Sequence, residues 1–384
     1  MRISRTTNNG VFINTSILKQ NIDVIKSVIP YKIISVLKSN SYGLGIENIL
    51  PYVLNKVYKV AINDCEEFIE HKLYNYPLNF ILLFPEIDPD TISLILSYKN
   101  VEISLNSFEM LKILSEFRDK KINVHLEVDT GMDRTGFRYD ENINLPGNIN
   151  IVGLYTHFKN DDIEDNIEQI YRFYEFIERN NIDLKGKDVH LLNSAGVLNY
   201  YKLRNIKNEK IQFVLNYMNS VRVGILQYGI VPSYRYLKLK EELSLKNCIK
   251  IKVDFLGTKL VKEGESVGYT NRYFYQAQKD TKIGLAKVGY SKIPFANKLL
   301  FDVVTDKRRF ITNSIGSISM DVIGFDLNLL GENEEVKEIC LFSENIQIEE
   351  IAEKNGYPVY NFLTSLNSLK KYVYGGDEIS KNIE

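Results

Sequence analysis

The chain has 384 residues, 44% of them hydrophobic and 25% charged, with a net charge of −1, the profile of a globular protein with room for two domains. No long run of one charge sign offers an electrostatic surface for nucleic acid or an acidic membrane, and neither is expected as a partner. Met1-Arg2-Ile3-Ser4-Arg5 lacks the apolar core of a signal peptide, and three scattered cysteines fit neither a disulfide framework nor a zinc site, so a cytoplasmic protein without a bound metal is expected.

Up to about residue 235 two patterns alternate. Apolar, β-branched runs occupy 33–37, 57–62, 80–84, 101–105, 122–128, 149–156, 189–192 and 221–228. Between them apolar residues recur three or four apart, as in Ile17, Leu18, Ile22 and Ile25, or Ile170, Phe173, Phe176 and Ile177. Asn106-Ser107-Phe108-Glu109 can form a capping box, and Asp64 precedes Glu66 and Glu67 in another first turn. Strands alternating with helices in this way predict a (β/α)8 barrel over residues 10–235. A flatter doubly wound sheet is the competing arrangement, but no Gly-x-Gly-x-x-Gly follows the first strand. From 236 to 384 short alternating strands, such as 248–255, 282–288 and 315–325, are separated by glycine turns, with little helix before 348–354. This predicts a second, mostly β domain.

In a barrel of this kind reactive residues sit at the carboxyl ends of the strands. Polar and glycine residues collect there: Lys38-Ser39-Asn40-Ser41-Tyr42-Gly43, Asp129-Thr130-Gly131-Met132-Asp133-Arg134, Thr156-His157-Phe158, Asn193-Ser194-Ala195-Gly196 and Arg222. Lys38 ends a buried strand, where an amine must be solvated, paired or bonded. By itself it fits a solvated strand end. Less readily, taken alone, it fits a Schiff base with pyridoxal 5'-phosphate, a chemistry for which desolvation makes the amine nucleophilic.

These pieces, with Arg222-Val223-Gly224-Ile225, Gly264-Glu265-Ser266-Val267-Gly268-Tyr269, Gly289-Tyr290, Ser319-Met320-Asp321 and Tyr360, run in order along nearly the whole chain. The set resembles the fold-type III pyridoxal phosphate enzymes, and among them the alanine racemase family. The resemblance implies that Lys38 binds the cofactor and is one of two acid–base groups, with Tyr269 the other. Tyr42, Ser194, Tyr360 and the backbone around Asn193, Gly224 and Ile225 would grip the phosphate. Arg134 would contact the cofactor's phenolic oxygen and the substrate carboxylate, and His157 would pack on the pyridine ring. Arg222, supported by His190, would bond the ring nitrogen. An arginine there can only donate, so the nitrogen stays unprotonated, which suits plain proton exchange. Met320 is implied beside the substrate, with Asp321 and Tyr290 in support. Residues 1–9 would join the second domain, and Tyr269 would reach the barrel of a partner copy, giving a head-to-tail homodimer with shared sites.

Several positions depart from the family. Glu127 stands where a carbamylated lysine is common, and its carboxylate is expected to orient Arg134. Ser291-Lys292-Ile293 after Tyr290, Ser317 after Gly316, and Tyr357-Pro358-Val359 and Asn361 around Tyr360 also differ, several of them at positions that line the family's entrance corridor, whereas Asp162, another entrance position, is retained. The expected activity is therefore interconversion of L- and D-alanine, or of another amino acid such as serine, lysine or a specialised substrate if the entrance has been rebuilt. A fold-type III decarboxylase would normally place a carboxylate at the ring nitrogen, against Arg222. A non-catalytic cofactor-binding protein would have no use for Tyr269 or Met320-Asp321.

Overall fold

The computed structural model describes residues 9–269, 275–294 and 298–375, and the backbone of 378–380. They form two compact units. The first comprises Ile22–Ser41 and Ile49–Gln227 and is the barrel. Its parallel strands are Lys32–Val36, Lys59–Ile62, Phe80–Leu82, Val101–Leu105, Ile122–Asp129, Ile149–Tyr155, Asp188–His190 and Ser220–Val223. Each lies beside the next, and Ser220–Val223 pairs with Lys32–Val36. The remaining seam is bridged by Asn219 N–H to Val189 O at 3.1 Å and Arg222 N–H to Leu192 O at 2.9 Å, so the sheet is nearly closed.

Every run predicted for the barrel overlaps a strand, with shifted ends. The predicted run 221–228 stops at Val223, because Ile225–Tyr228 tightens into a 3₁₀ turn. Helix Ile163–Arg179 buries Ile170, Phe173, Phe176 and Ile177 along one face, and Asp162 caps it. The cap of Phe108–Glu116 is Ser107 rather than Asn106, its hydroxyl accepting from Met110 N–H at 3.1 Å.

The second unit is a ten-stranded, mostly antiparallel sheet. It contains Gly10–Asn14, which pairs antiparallel with Ile249–Val253 and parallel with Lys371–Gly375. That strand was counted with the barrel from the sequence; its backbone groups on both edges are instead engaged by strands far downstream, which no local pattern displays. Tyr42–Asn48 and the chain from Tyr228 also belong to this unit, so the boundary expected at 236 comes earlier. Residues 1–8 lie outside the described residues. The run predicted at 315–325 is broken: Arg309–Ile315 and Ile323–Asp326 are strands, and the loop between them carries Ser317, Met320 and Asp321. No helix among the described residues is long and apolar enough to cross a membrane.

Gly229 marks a tight point of the second unit. Its φ is +72°, and a Cβ there would lie 1.8 Å from the Lys246 carbonyl oxygen, which already accepts from the Asn21 amide at 2.8 Å. Gly229→Ala is expected to cost at least about 1–3 kcal/mol from the left-handed backbone alone. Urea unfolding should show a lower midpoint at unchanged m-value.

Candidate active site

The first barrel strand delivers Lys38 into an unusual turn. Ser39, Asn40, Ser41 and Tyr42 have φ of 55°, 52°, 55° and 59°, a full left-handed turn that runs into Gly43 at 82°. Ser41 N–H closes it on Leu37 O at 2.7 Å. Left-handed helical backbone costs L-residues roughly 1–2 kcal/mol each. A buttress comes from Glu67, whose carboxylate accepts Asn40 N–H at 2.6 Å and Asn63 N–H at 2.7 Å. In sequence Glu67 is a helix first-turn acid; in the fold its buried carboxylate also holds the turn after the lysine. The Lys38 amine lies 5.4 Å from the centre of the Phe84 ring. Burial, then the charges of Arg134 and Arg222, push its pKa down, with Glu127 and Glu67 opposing.

Arg134 rides on a loop knotted by Asp129. One Asp129 oxygen accepts from the amides of Gly131, Met132 and Asp133 at 2.9, 3.0 and 3.1 Å. Gly131 has φ +120°, and a Cβ there would strike the Arg172 side chain at 2.7 Å. The Arg134 guanidinium stands over the same Phe84 ring as Lys38, at 5.4 Å. Thr130 and Thr156 hydroxyls bond at 2.7 Å, and the Gln169 amide donates to Thr130 Oγ1 and to His157 O at 3.0 Å each. Gln169, from the helix, thus ties the Arg134 loop to the His157 loop.

Arg222 is buried in the barrel. Nη1 lies 2.6 Å from His190 O and 2.7 Å from His190 Nδ1; Nη2 lies 2.6 Å from Thr156 O and 3.3 Å from His157 Nδ1. Four of five guanidinium donors are engaged, leaving Nε–H. Burial lowers its pKa to about 10, which still leaves it cationic at neutral pH. Burial and the Arg222 charge keep both His157 and His190 neutral. Behind His190 lie His125, Glu102, Lys59 and Asp188, none of which sequence reading selected. Their signal was faint: polar residues within otherwise apolar strands.

Helix Ser194–Arg204 opens beside these loops, with Asn193 as its cap accepting Gly196 N–H at 3.0 Å. Ser194 Oγ is buried and accepts Gly224 N–H at 3.3 Å, linking this N-terminus to the Gly224-Ile225 turn. Amides and hydroxyls at such a terminus suit a phosphate.

Glu127 makes no ion pair with Arg134 among the described residues: it is buried, which raises its pKa, and its Oε2 has no hydrogen-bond partner. Asp162 is engaged as a helix cap, accepting from Glu164 and Asp165 amides.

The other candidates belong to the second unit. Tyr42 is buried, with its ring 6.2 Å from those of Tyr228 and Tyr360; burial raises both phenols, that of Tyr360 to about 12. Tyr269, Met320 and Tyr290 are 61%, 54% and 42% exposed. Gly268, at φ +73°, lies so close to Ser317 that a Cβ would meet its carbonyl oxygen at 2.8 Å. The Ser317 hydroxyl donates to the Tyr269 carbonyl. The Tyr290 and Asp321 loops are tied by Ser291 Oγ to Asp321 at 2.8 Å and by Tyr290 N–H to Ser319 O at 3.2 Å.

The chain matches the family models for the alanine racemase N-terminal domain over residues 13–232 and C-terminal domain over 248–374. It is similar to the alanine racemase of Clostridium kluyveri, with 28% identity covering 96% of this chain and 94% of that protein. It is also similar to that of Borreliella burgdorferi, with 26% identity covering 96% and 97%. Among solved structures, the alanine racemase of Clostridium difficile 630 has the same fold, with a TM-score of 0.80, 22% identity and 98% of each chain covered.

Burial alone would raise the Glu102 carboxyl, but its bonds with His125 and Lys59 pull it to about 2 from an ordinary 4.5. A carboxyl depressed in the folded state adds stability above its unfolded value, and this is lost as pH falls through about 2. Urea unfolding between these pH values should show a loss on the order of 3 kcal/mol that Glu102→Gln does not show.

Proposed function

The chain belongs to the alanine racemase family, and from that premise we propose that it is a pyridoxal 5'-phosphate-dependent racemase interconverting L- and D-alanine, with Lys38 and Tyr269 as its two bases. The observation that carries this reading is Arg222, a buried guanidinium with one donor, Nε–H, left for a ring nitrogen. The rest of the barrel fits the same group: a depressed lysine amine to hold it and a capped helix N-terminus with Ser194 for its phosphate. Asn193, Gly224 and Ile225 would complete the barrel's phosphate contacts, and Tyr42 and Tyr360 are further proposed phosphate ligands. The bound cofactor supplies the electron-withdrawing ring that acidifies the substrate's α-proton.

The chain's residues do the rest. Arg134 binds the substrate carboxylate. Lys38, its pKa lowered by burial and by two arginines, exchanges a proton on one face of the α-carbon. Tyr269 serves the other face, with Ser317 bonding its carbonyl and Met320, Tyr290 and Asp321 as proposed supporting residues. His157, held neutral, would pack on the cofactor ring without adding charge. Arg222 stays a donor and does not protonate the ring nitrogen, which favours exchange over side reactions and argues against a decarboxylase. The exposure of Tyr269, Met320 and Tyr290 on a single chain supports a head-to-tail homodimer in which each copy lends them to the other's barrel. A cytoplasmic enzyme is the accompanying proposal for location.

A second reading, racemisation of a different amino acid, is favoured by one observation. Lys292, Tyr290 and Asn361, at or beside positions that depart from the family, line one cavity of about 800 Å³.

Lys38→Ala should abolish the cofactor's visible absorbance, while Tyr269→Phe should keep it and lower kcat roughly 10²–10⁴-fold. Mixing these two inactive variants should restore roughly a quarter of wild-type activity, because half the dimers are mixed and each has one intact site. No recovery on verified subunit exchange would sink the shared site.

Profiling the L-amino acids in deuterated solvent should show fastest α-deuterium incorporation for alanine. Faster exchange of serine, lysine or another substrate would select the second reading.

A further inference from the structure

Behind Arg222 a chain of polar groups crosses the barrel interior, and the position of every proton in it can be deduced. Arg222 Nη1 lies 2.7 Å from His190 Nδ1. A guanidinium has only N–H groups, so Nδ1 must accept, and His190 carries its proton on Nε2. That Nε2 is 2.8 Å from His125 Nδ1, which must accept in turn. His125 then carries its proton on Nε2 and donates to Glu102 Oε2 at 2.6 Å. Lys59 bonds both Glu102 oxygens, at 2.6 and 2.7 Å, and Asp188 at 2.7 Å, and the Asn79 amide donates to Glu102 Oε1 at 2.8 Å.

The order has one direction. Reversing either imidazole, or protonating either twice, sets N–H against N–H at the His190–His125 contact or at Arg222. The charges also balance, Arg222 and Lys59 against Glu102 and Asp188, and all six groups are buried. Glu102, His125 and Asp188 have the composition of a metal site, but the Lys59 ammonium already touches both carboxylates. The backbone has made room for the relay: a Cβ at Gly153, inside strand Ile149–Tyr155, would lie 2.1 Å from His125 Nδ1. His190 is held flat against Tyr155, with centroids 5.0 Å apart and planes within 8°.

We propose that His125 and Glu102 are positioning residues for the reaction, anchoring the proton order that keeps His190 an acceptor and Arg222 aimed as a donor at the cofactor's ring nitrogen. This rests on the cofactor reading above. If the relay lost its order, His190 would be free to turn an N–H toward Arg222 and push the guanidinium off line. Substrate binding, which Arg134 serves, would be untouched.

The chain has only four histidines, so ¹⁵N-histidine labelling of the full-length protein, with single-histidine variants for assignment, reads each tautomer directly. His125 and His190 should both appear as neutral Nε2–H forms, with and without cofactor. An Nδ1–H on His190, or an imidazolium at either position, overturns the proposal. His125→Phe, which leaves His190 Nε2–H without an acceptor, should lower kcat roughly 10–100-fold with KM little changed. His125→Asn, whose Oδ1 restores an acceptor, should recover most of that loss. Full activity in His125→Phe, or no recovery in folded His125→Asn, also overturns it. A wild type that takes up no cofactor sinks the functional reading as well, whereas a wild type that binds cofactor through Lys38 but has the wrong tautomers sinks the relay alone.

Discussion

A guanidinium sealed inside the barrel sets the terms for everything near it. Arg222 cannot lose its charge at neutral pH, and its burial has to be compensated by acceptors placed around it. The structure supplies the Thr156 and His190 carbonyls and two imidazole nitrogens. The carbonyls come from the ends of neighbouring barrel strands, so the arginine's position is fixed by the sheet itself. Burial together with the arginine's field holds His157 and His190 neutral and, with Arg134, lowers Lys38. Burial, reinforced by this buried cation, thus gives both an amine of lowered pKa and uncharged imidazoles beside it.

The two side chains that flank Phe84 are positioned by different means. Lys38 precedes a left-handed turn that four L-residues would avoid in isolation, and Glu67 meets the exposed amide of Asn40. Arg134 depends on a carboxylate knot at Asp129 and on Gln169, which bolts two strand ends together. Strain at a functional site persists only where surrounding contacts over-determine it. Here a buried acid supplies that constraint on one side and a helix on the other.

The second unit presents its candidates differently. Tyr269, Met320 and Tyr290 are large and exposed, yet the loops that carry them are pinned by short polar contacts. An exposed aromatic side chain on a loop held by polar contacts is suited to contact with a neighbouring surface. Ser317 is both a departure from the family pattern and the donor to the Tyr269 backbone, so a change of residue type there alters how Tyr269 is held.

The strand runs, the helix faces, Lys38, the Asp129–Arg134 motif and the histidine–arginine pair were legible in the sequence, because periodicity and strand-end chemistry are local. The membership of Gly10–Asn14 in the second sheet was not, since its partners lie more than 200 residues away. Nor could the sequence separate Glu67 from any first-turn acid, or show that Glu127 makes no ion pair with Arg134, because a carboxylate's role depends on which amides and cations the fold brings to it. The relay from Arg222 to Asp188 joins five strands of the barrel, each contributing one or two polar residues to an apolar run. Local pattern determined which residues point inward; only closure of the sheet decided which of them touch, and therefore where the protons lie.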